Sequence, residues 1–383
     1  MLLPAEVRSL LFHEDSNVRW FALDYLCDAH DPAQLTAADV WAGADRYRDL
    51  DRLAFIRHLP ELASTPASSA RVFEGLRSER DGRFFSHLCG VLLRLPVDEV
   101  RRAMGDPRIA RRLPSVARAE VAEVLHFAGQ SFDELWGEVE SCAVEIKYGR
   151  FLMTPSLSRV NHLAQALARF PERAAARALD ALLDASEDER GRWVSAFSTR
   201  LFRNVRHPGA LVPLLNLAGD ESAPFFLVGE WAVDALVYLG TRELVAAIAA
   251  GFPGSGEWSC WHAAHVLGRI KRPESEQVLV RLLDATSDVP GCTQLGMALC
   301  ELGTTSPEAL DRLRALVSCE HFDPHRGALD EALLTLCAAQ GFQPIEAPAW
   351  QARITAREAA EEEEDYDEPS SGSPGGKRKP TDN

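Results

Sequence analysis

The sequence predicts an all-α protein, an α-solenoid of roughly nine to ten helical hairpins followed by a disordered acidic tail. Three observations support this prediction. Apolar residues recur with a helical period along most of the 383 residues, and no stretch shows the sustained alternation of a β-strand. One helical pattern repeats in the C-terminal third of the chain. After Gln340 the apolar pattern stops and acidic, serine-rich and glycine-rich segments follow.

The repeat is a short helical string that ends in glycine. Residues 235–240 read Ala-Leu-Val-Tyr-Leu-Gly, and related strings occupy 263–268 and 298–303. A fourth copy at 332–337 carries Cys337 in place of the glycine. Successive copies are 28, 35 and 34 residues apart, a length that fits two short helices and their turns. One such unit cannot bury its apolar stripe alone, so the units are expected to stack.

The opening unit shows what a single hairpin needs. Val18, Ala22 and Leu26 fall at i, i+4 and i+8, which places them on one buried face of a helix. An acidic or small polar residue ahead of Val18 is suited to cap that helix. Arg19 lies one position off the buried face, where its guanidinium can reach a carboxylate of the neighbouring unit.

These residues carry a resemblance to a known repeat family. The pattern Asp-x-x-Val-Arg-x-x-Ala-x-x-x-Leu at 15–26 resembles the second helix of a HEAT repeat. The string Trp-His-Ala-Ala-His-Val-Leu-Gly-Arg-Ile at 261–270 is similar to the short HEAT-like repeat first named from phycobilin lyases. The resemblance implies a HEAT-like α-solenoid. It specifies fold far more than function, because such repeats serve scaffolds, adaptors, lyases and a few DNA-repair enzymes.

The chain divides into a body, 1–343, and a tail, 344–383. Within the body, residues 1–210 depart from the repeat in length and capping, whereas residues 211–343 follow it regularly. Proline and polar punctuation places the predicted helix pairs at 4–28, 36–62, 66–95, 97–128, 133–170, 172–206, 211–239, 242–270, 274–302 and 307–338. The tail contains an acidic run at 361–365 and a Ser/Gly/Pro segment at 370–376, so we expect it to be disordered.

Composition limits the location and the partners. The net charge of −16 should on average repel a duplex phosphate backbone. None of the eight cysteines forms a C-x-x-C pair, which favours a reducing, cytoplasmic setting over a disulfide framework. Neither a signal peptide nor an apolar stretch long enough for a membrane span is evident. No cofactor motif is present, and we therefore expect none.

The sharpest candidate surface is a run of arginines between 190 and 206. Trp193, Ala196, Phe197 and Leu201 have the spacing of a buried face, so the rest of that helix is left rich in arginine. Guanidinium groups suit phosphate or carboxylate ligands, although pairing with acidic residues of adjacent repeats is the simpler interpretation. A second candidate is an aromatic ridge that would hold a protein partner. The proposed partner-binding residues are Arg190, Arg192, Arg200, Arg203, Arg206, Trp231, Trp258 and Trp261.

A weak metal candidate lies in a predicted turn between paired helices. Cys319, His321, Asp323 and His325 are suitable ligand types within seven residues, but their spacing matches no zinc signature. Asp323 serves equally well as the N-cap of the next helix. We therefore expect no metal site.

The leading functional hypothesis is a non-enzymatic scaffold or adaptor that binds another protein or peptide on a concave solenoid surface. No nucleophile elbow, phosphate loop, dinucleotide fingerprint or zinc-protease motif is present. One alternative is a nucleic-acid-binding HEAT-repeat protein, similar to the DNA glycosylases of this repeat class, that uses the arginine run. A second alternative, implied only by the repeat resemblance, is a chaperone similar to the bilin lyases.

Overall fold

A computed structural model describes residues 1–29, 34–62, 64–147, 155–183, 189–219, 227–251 and 257–367, without the side chains of 145–147, 155–157, 189, 227, 257–259 and 361–367. Within these ranges the chain forms helices and turns and contains no strand, which confirms the all-α prediction. The first eleven helices are α1 Pro4–Ser9, α2 Ser16–Asp28, α3 Ala37–Arg46, α4 Asp49–Arg57, α5 Pro66–Ser78, α6 Gly82–Leu92, α7 Val97–Gly105, α8 Pro107–Arg112, α9 Ser115–Ala128, α10 Phe132–Lys147 and α11 Pro155–Leu167. The remaining helices are α12 Pro171–Leu183, α13 Glu189–Leu201, α14 Leu211–Ala218, α15 Leu227–Leu239, α16 Arg242–Gly251, α17 Glu257–Arg269, α18 Pro273–Ala285, α19 Val289–Leu302, α20 Pro307–Ser318, α21 Leu329–Ala339 and α22 Ala347–Asp367. Short 3₁₀ turns occupy Leu10–Phe12, Leu59–Glu61 and Pro208–Ala210.

Most predicted pairs contain two helices that pack on each other, as α12 does on α13 and α18 on α19. The pair predicted at 97–128 instead contains three helices, α7, α8 and α9. The carboxylate of Asp106 accepts from the backbone N–H of Arg108, and Pro107 follows at the first helical position. This cap and this proline begin an additional helix, α8, within the segment that was predicted to contain two.

Most second helices of the pairs contact the next one in chain order. Helix α2 packs on α4 and α4 on α6, and from α9 to α21 every second helix contacts the next. Val18, Ala22 and Leu26 on α2 are fully buried, as the periodicity predicts. Trp193, Ala196, Phe197 and Leu201 on α13 are buried as predicted too. One continuous apolar core results, which extends from Leu2 to Trp350.

Arginine–carboxylate pairs link neighbouring units along the chain. Arg19 pairs with Asp51, which confirms the expected reach into the next unit. Arg242 pairs with Glu274, and Arg314 pairs with Glu346 over 2.7 Å. The separations in sequence, 32 residues in each case, are close to the spacing of the repeat. Pairing between adjacent units therefore accounts for many arginines of this acidic chain.

The repeated glycine serves two different purposes. Gly240 and Gly303 adopt positive φ angles of 55° and 71° at the ends of α15 and α19, a conformation that glycine tolerates best. Gly268 does not. A Cβ atom at Gly268 would lie 2.9 Å from the Cα of Ala298, so glycine at this position allows α17 and α19 to approach closely.

The two ends of the row of second helices meet. Helix α2 contacts both α19 and α21, which lie near the other end of the chain. The backbone N–H of Leu2 donates to the carbonyl of Gly303 over 2.7 Å. The Tyr25 hydroxyl donates to the carbonyl of Leu2 over 2.5 Å and holds this connection against α2.

The tail departs from the prediction at its start. Residues from 344 onward were expected to be disordered, whereas Ala347–Asp367 forms α22, which packs on α21. Trp350 and Ile354 are four residues apart and both are buried, so they give α22 an apolar face of one turn. Arg357 adds ion pairs to Asp330 and Glu331 of α21. Residues 368–383 lie outside the described part of the chain.

Candidate ligand pocket

A pocket of about 450 Å³ lies where the two ends of the row meet. Helix α2 and the C-terminal ends of α17 and α19 form much of its wall, and α21 adds two small side chains. The 3₁₀ turn after α4 and the residues that follow α13 complete it. The lining residues are Phe21, Asp24, Tyr25, Cys27, Asp28, His58, Glu61, Arg203, His265, Arg269, Lys271, Cys300, Glu301, Ala332 and Thr335.

An alternating chain of charges runs along one side of the pocket. Arg203 pairs with Glu61, 142 residues away in sequence, and its Nη1 lies 3.3 Å from the carboxylate of Asp234. Asp234 also accepts from Arg269 over 3.1 Å, and Arg269 in turn donates to Asp28 over 2.9 Å. The series of ion pairs Glu61–Arg203–Asp234–Arg269–Asp28 therefore links residues near the start of the chain with residues from its later two thirds.

The pKa values of this network follow from burial and pairing. Burial acts to raise the pKa of Asp234, but Arg203 and Arg269 outweigh it and hold the pKa below its usual range. Burial acts to lower the pKa of Arg269, but Asp28 and Asp234 raise it. Burial, with the like charge of Arg203, lowers the pKa of Arg200 to about 10. Asp234 and these arginines therefore remain charged at neutral pH.

Lys271 and Glu301 form the inner end of the pocket. The Lys271 ammonium donates to the carbonyls of Gly268 and Glu301 over 3.0 and 2.7 Å, so it caps the C-terminal ends of α17 and α19 together. It also lies 4.6 Å from the centre of the Tyr25 ring, at cation–π distance. Oε2 of Glu301 is buried, and no group among the described residues donates a hydrogen bond to it. Burial raises the pKa of Glu301 to about 7, although Lys271 acts in the opposite direction.

The thiols of Cys27 and Cys300 and the imidazole of His265 are uncharged at neutral pH. Burial raises the pKa of Cys27, and the nearby carboxylates of Glu61, Asp28 and Asp24 raise it further. Burial also raises the pKa of Cys300. Burial and the charge of Arg269 lower the pKa of His265 to about 4. The pocket therefore offers carboxylates and fixed cations, and neither thiol is poised as a thiolate nucleophile.

The arginines predicted between 190 and 206 do not share one exposed surface. Arg203 lines the pocket, and Arg200 lies behind it, bonded to Asn161 over 2.5 Å and to Asp234 over 3.2 Å. Arg190 is half-exposed and pairs with Glu140, and Arg206 stacks on the Tyr238 ring. Arg192 is exposed. The helical period correctly predicted that these arginines lie outside the apolar face. It could not predict that Asp234 of α15 and Glu61 of the turn after α4 pair with Arg200 and Arg203.

The predicted aromatic ridge is divided in the same way. Trp231 is buried against Phe197, so it belongs to the core and is no exposed partner contact. Trp261 is partly buried, with its ring centre 5.6 Å from that of His265, which places it beside the pocket. His262 is buried and bonds to the carbonyl of Ala218 through Nδ1. The side chain of Trp258 lies outside the described residues.

The candidate metal ligands do not converge. Among the described residues, no three His, Cys, Asp or Glu side chains are placed to hold a metal ion, and this includes Cys319, His321, Asp323 and His325. The alternative role of Asp323 as the N-cap of the next helix is wrong, because α21 begins at Leu329 and its N-cap is Ala328. The Asp323 carboxylate instead accepts from the N–H of His325 within the preceding turn.

Most pocket residues carry no motif that sequence reasoning could have used. Asp24, Asp28 and Glu61 read as ordinary solvent-facing positions, and Glu301 lies inside a repeated helical string. Lys271 is the exception, because it is one of four lysines in a chain with 37 arginines.

No model of a protein family matches this chain, and no curated protein matches it either. Among the described helices, none combines the length and the apolar character that crossing a membrane would require.

Proposed function

We propose that the chain is a non-enzymatic interaction protein, a HEAT-like α-solenoid that binds a partner protein or peptide on the side where the pocket opens. The observation that supports this proposal is the pocket itself, to which α2, α17, α19, α21 and the segments after α4 and α13 all contribute. Because these segments are far apart in sequence, the pocket exists only in the folded chain. It offers a partner a defined recess surrounded by charged and aromatic side chains.

The charge network favours recognition over catalysis. Arg203 and Arg269 are each held between two carboxylates, which fixes their positions in the absence of a partner. A rigid, pre-organised recess loses little conformational entropy when a partner side chain enters it. The thiols that could act as nucleophiles have raised pKa values, as described above.

The arginine run no longer favours a nucleic-acid interface. Arg200 and Arg203, which made up the centre of that run, face carboxylates of their own chain. A phosphate backbone would have to displace Glu61 and Asp234 from them. The bilin-lyase alternative gains no support from the residues that are described.

Site-specific photocrosslinking tests the proposal. A photoreactive amino acid replaces Thr335 in the pocket, and a matched control replaces Val212, which is 62% exposed on α14 away from the pocket. Irradiation in the native cytosol should give a discrete crosslinked species from position 335 that is missing from position 212. Identical patterns from the two positions would contradict the proposal.

A further inference from the structure

We infer that the pocket binds an organic cation, an alkylammonium or guanidinium group carried on an apolar stem. This inference deepens the proposed function and rests on it in one respect: within that function, the cation is a lysine or arginine side chain of the partner. The chemistry of recognition is the same for a free amine of similar size.

Carboxylates from three separate elements surround the pocket. Asp24 and Asp28 come from α2, Glu61 from the 3₁₀ turn after α4, and Glu301 from α19. The first three lie around the thiol of Cys27. Asp28 accepts through Oδ1 from Arg269, and among the described residues no group donates to its second oxygen. Asp24 accepts from Arg57 over 2.8 Å and Glu61 accepts from Arg203, whereas the second oxygen of Asp28 is an acceptor that the described residues leave free.

The cations of the pocket are already engaged. Arg203 is shared between Glu61 and Asp234, and Arg269 between Asp28 and Asp234. Lys271 donates to two helix-terminal carbonyls and covers the Tyr25 ring. A ligand that needs strong donors from the protein would have to break these contacts. A ligand that brings its own donors would not.

Glu301 is the strongest individual indication. Its Oε2 is buried and has no donor within the described chain, although a buried carboxylate oxygen ordinarily has one. The Lys271 ammonium is close enough to influence Glu301, yet it bonds to the backbone carbonyl of Glu301 and not to the carboxylate. Glu301 lines the pocket, so an ammonium or guanidinium that enters would lie beside this carboxylate and offset the cost of burying its charge.

The spacing of the acidic groups selects an organic cation over a metal ion. No three of the described ligand-type side chains are close enough together to coordinate a metal. They are instead distributed around a space of about 450 Å³, which is the size of many small-molecule sites. Phe21, Ala332 and Cys300 also line the pocket and give an alkyl stem an apolar surface.

Calorimetric titration at pH 8 with three probes of equal length tests the inference. n-Pentylamine carries the cation, pentan-1-ol is its neutral counterpart and pentanoate its anionic counterpart. Pentylamine should bind at least about tenfold more tightly than the other two, the size of effect expected for a charge-assisted hydrogen bond. Glu301→Gln should remove most of that preference, whereas Glu243→Gln, at an exposed carboxylate on α16, should retain it.

The outcomes separate this inference from the proposed function. Equal binding of the three probes by the wild-type chain would overturn the inference, whatever Glu301→Gln does and even if that variant fails to fold. Preferential pentylamine binding without a crosslink from position 335 would retain the cation site and reject the partner. A peptide that contains lysine is then compared with the same peptide containing norleucine. If the lysine peptide binds more tightly than both the norleucine peptide and pentylamine, the cation is a side chain of a partner. Equal binding of the two peptides would reject a partner side chain as the source.

Discussion

Arg269 donates from Nε to Oδ1 of Asp28 over 2.9 Å, although the two residues are 241 positions apart in the sequence. Their side chains are each about four-fifths shielded from solvent. The same guanidinium bonds to Asp234 through Nη1, so it connects α2 with α15 and α17. This contact joins the first helix pair to the last part of the chain and forms part of the pocket wall. The predictions below concern this junction and the helices that support it.

Replacing Gly268 with alanine should destabilise the protein. The new Cβ would lie 2.9 Å from backbone atoms of Ala298, so α17 and α19 would have to separate. We expect a loss of about 1–3 kcal/mol in the free energy of unfolding, measured by urea denaturation. The control is Gly137→Ala on α10, where a Cβ meets nothing within 4 Å; that change should stabilise by up to about 1 kcal/mol. Equal effects of the two substitutions would contradict the close approach.

Glu301 should make the free energy of unfolding fall as the pH rises. Its pKa is about 7 in the folded chain against an ordinary value of 4.5, so between these values the folded state holds a proton that the unfolded state has released. The stability contributed by the protonated form is complete below pH 4.5 and is lost as the pH approaches 7. The loss amounts to at most about 3 kcal/mol.

Comparison of variants isolates this effect from other groups that titrate nearby. His265 has a lowered pKa of about 4, so its own contribution rises with pH between about 4 and its ordinary value of 6.5. That rise is common to wild type and Glu301→Gln. We expect the stability of Glu301→Gln relative to wild type to increase between pH 5 and pH 8 in urea unfolding, and that of Glu243→Gln to stay level. A constant difference for Glu301→Gln would refute the assignment.

Substitution of Trp350 should release α22 from the body. Trp350 is 1% exposed, and α22 packs on α21. Trp350→Ala should increase the rate of limited proteolysis between 344 and 360 by about tenfold or more, because local unfolding of that helix becomes easier. Gln351→Ala, at the adjacent exposed position, should leave the rate unchanged. A wild-type rate already as fast as that of Trp350→Ala would mean that α22 is not docked in solution.

Arg203 should contribute more to stability than a surface arginine. Arg203→Gln leaves Glu61 and Asp234 with fewer compensating charges in a shielded setting, and we expect a loss of about 2 kcal/mol by urea unfolding. Arg118→Gln on α9 changes an exposed side chain and should stay within about 0.5 kcal/mol of wild type. A loss no larger than that control would show that the pairs with Glu61 and Asp234 contribute little.

The sequence predicts the features that depend on residues close together in the chain, such as the buried face of a helix. Helical period alone identifies the buried faces of α2 and α13, and the position of Arg19 beside its buried face anticipates its pairing with a carboxylate of the next unit, which is Asp51. It does not predict α22, because two apolar residues beside a long acidic run give too weak a pattern. Nor does it predict the pocket. Glu61 and Arg203 are 142 positions apart, and their contact depends on the accumulated orientation of all the helices between them.

A double-mutant cycle between Asp28 and Arg269 tests the junction most directly. The free energies of unfolding of Asp28→Asn, Arg269→Gln and the double variant are compared with wild type by urea denaturation. If the ends of the row meet as described, the cycle should give a coupling energy of about 1–3 kcal/mol. Additive effects, with a coupling energy near zero, would mean that α2 and α17 do not share a charge pair and that the pocket between them does not form.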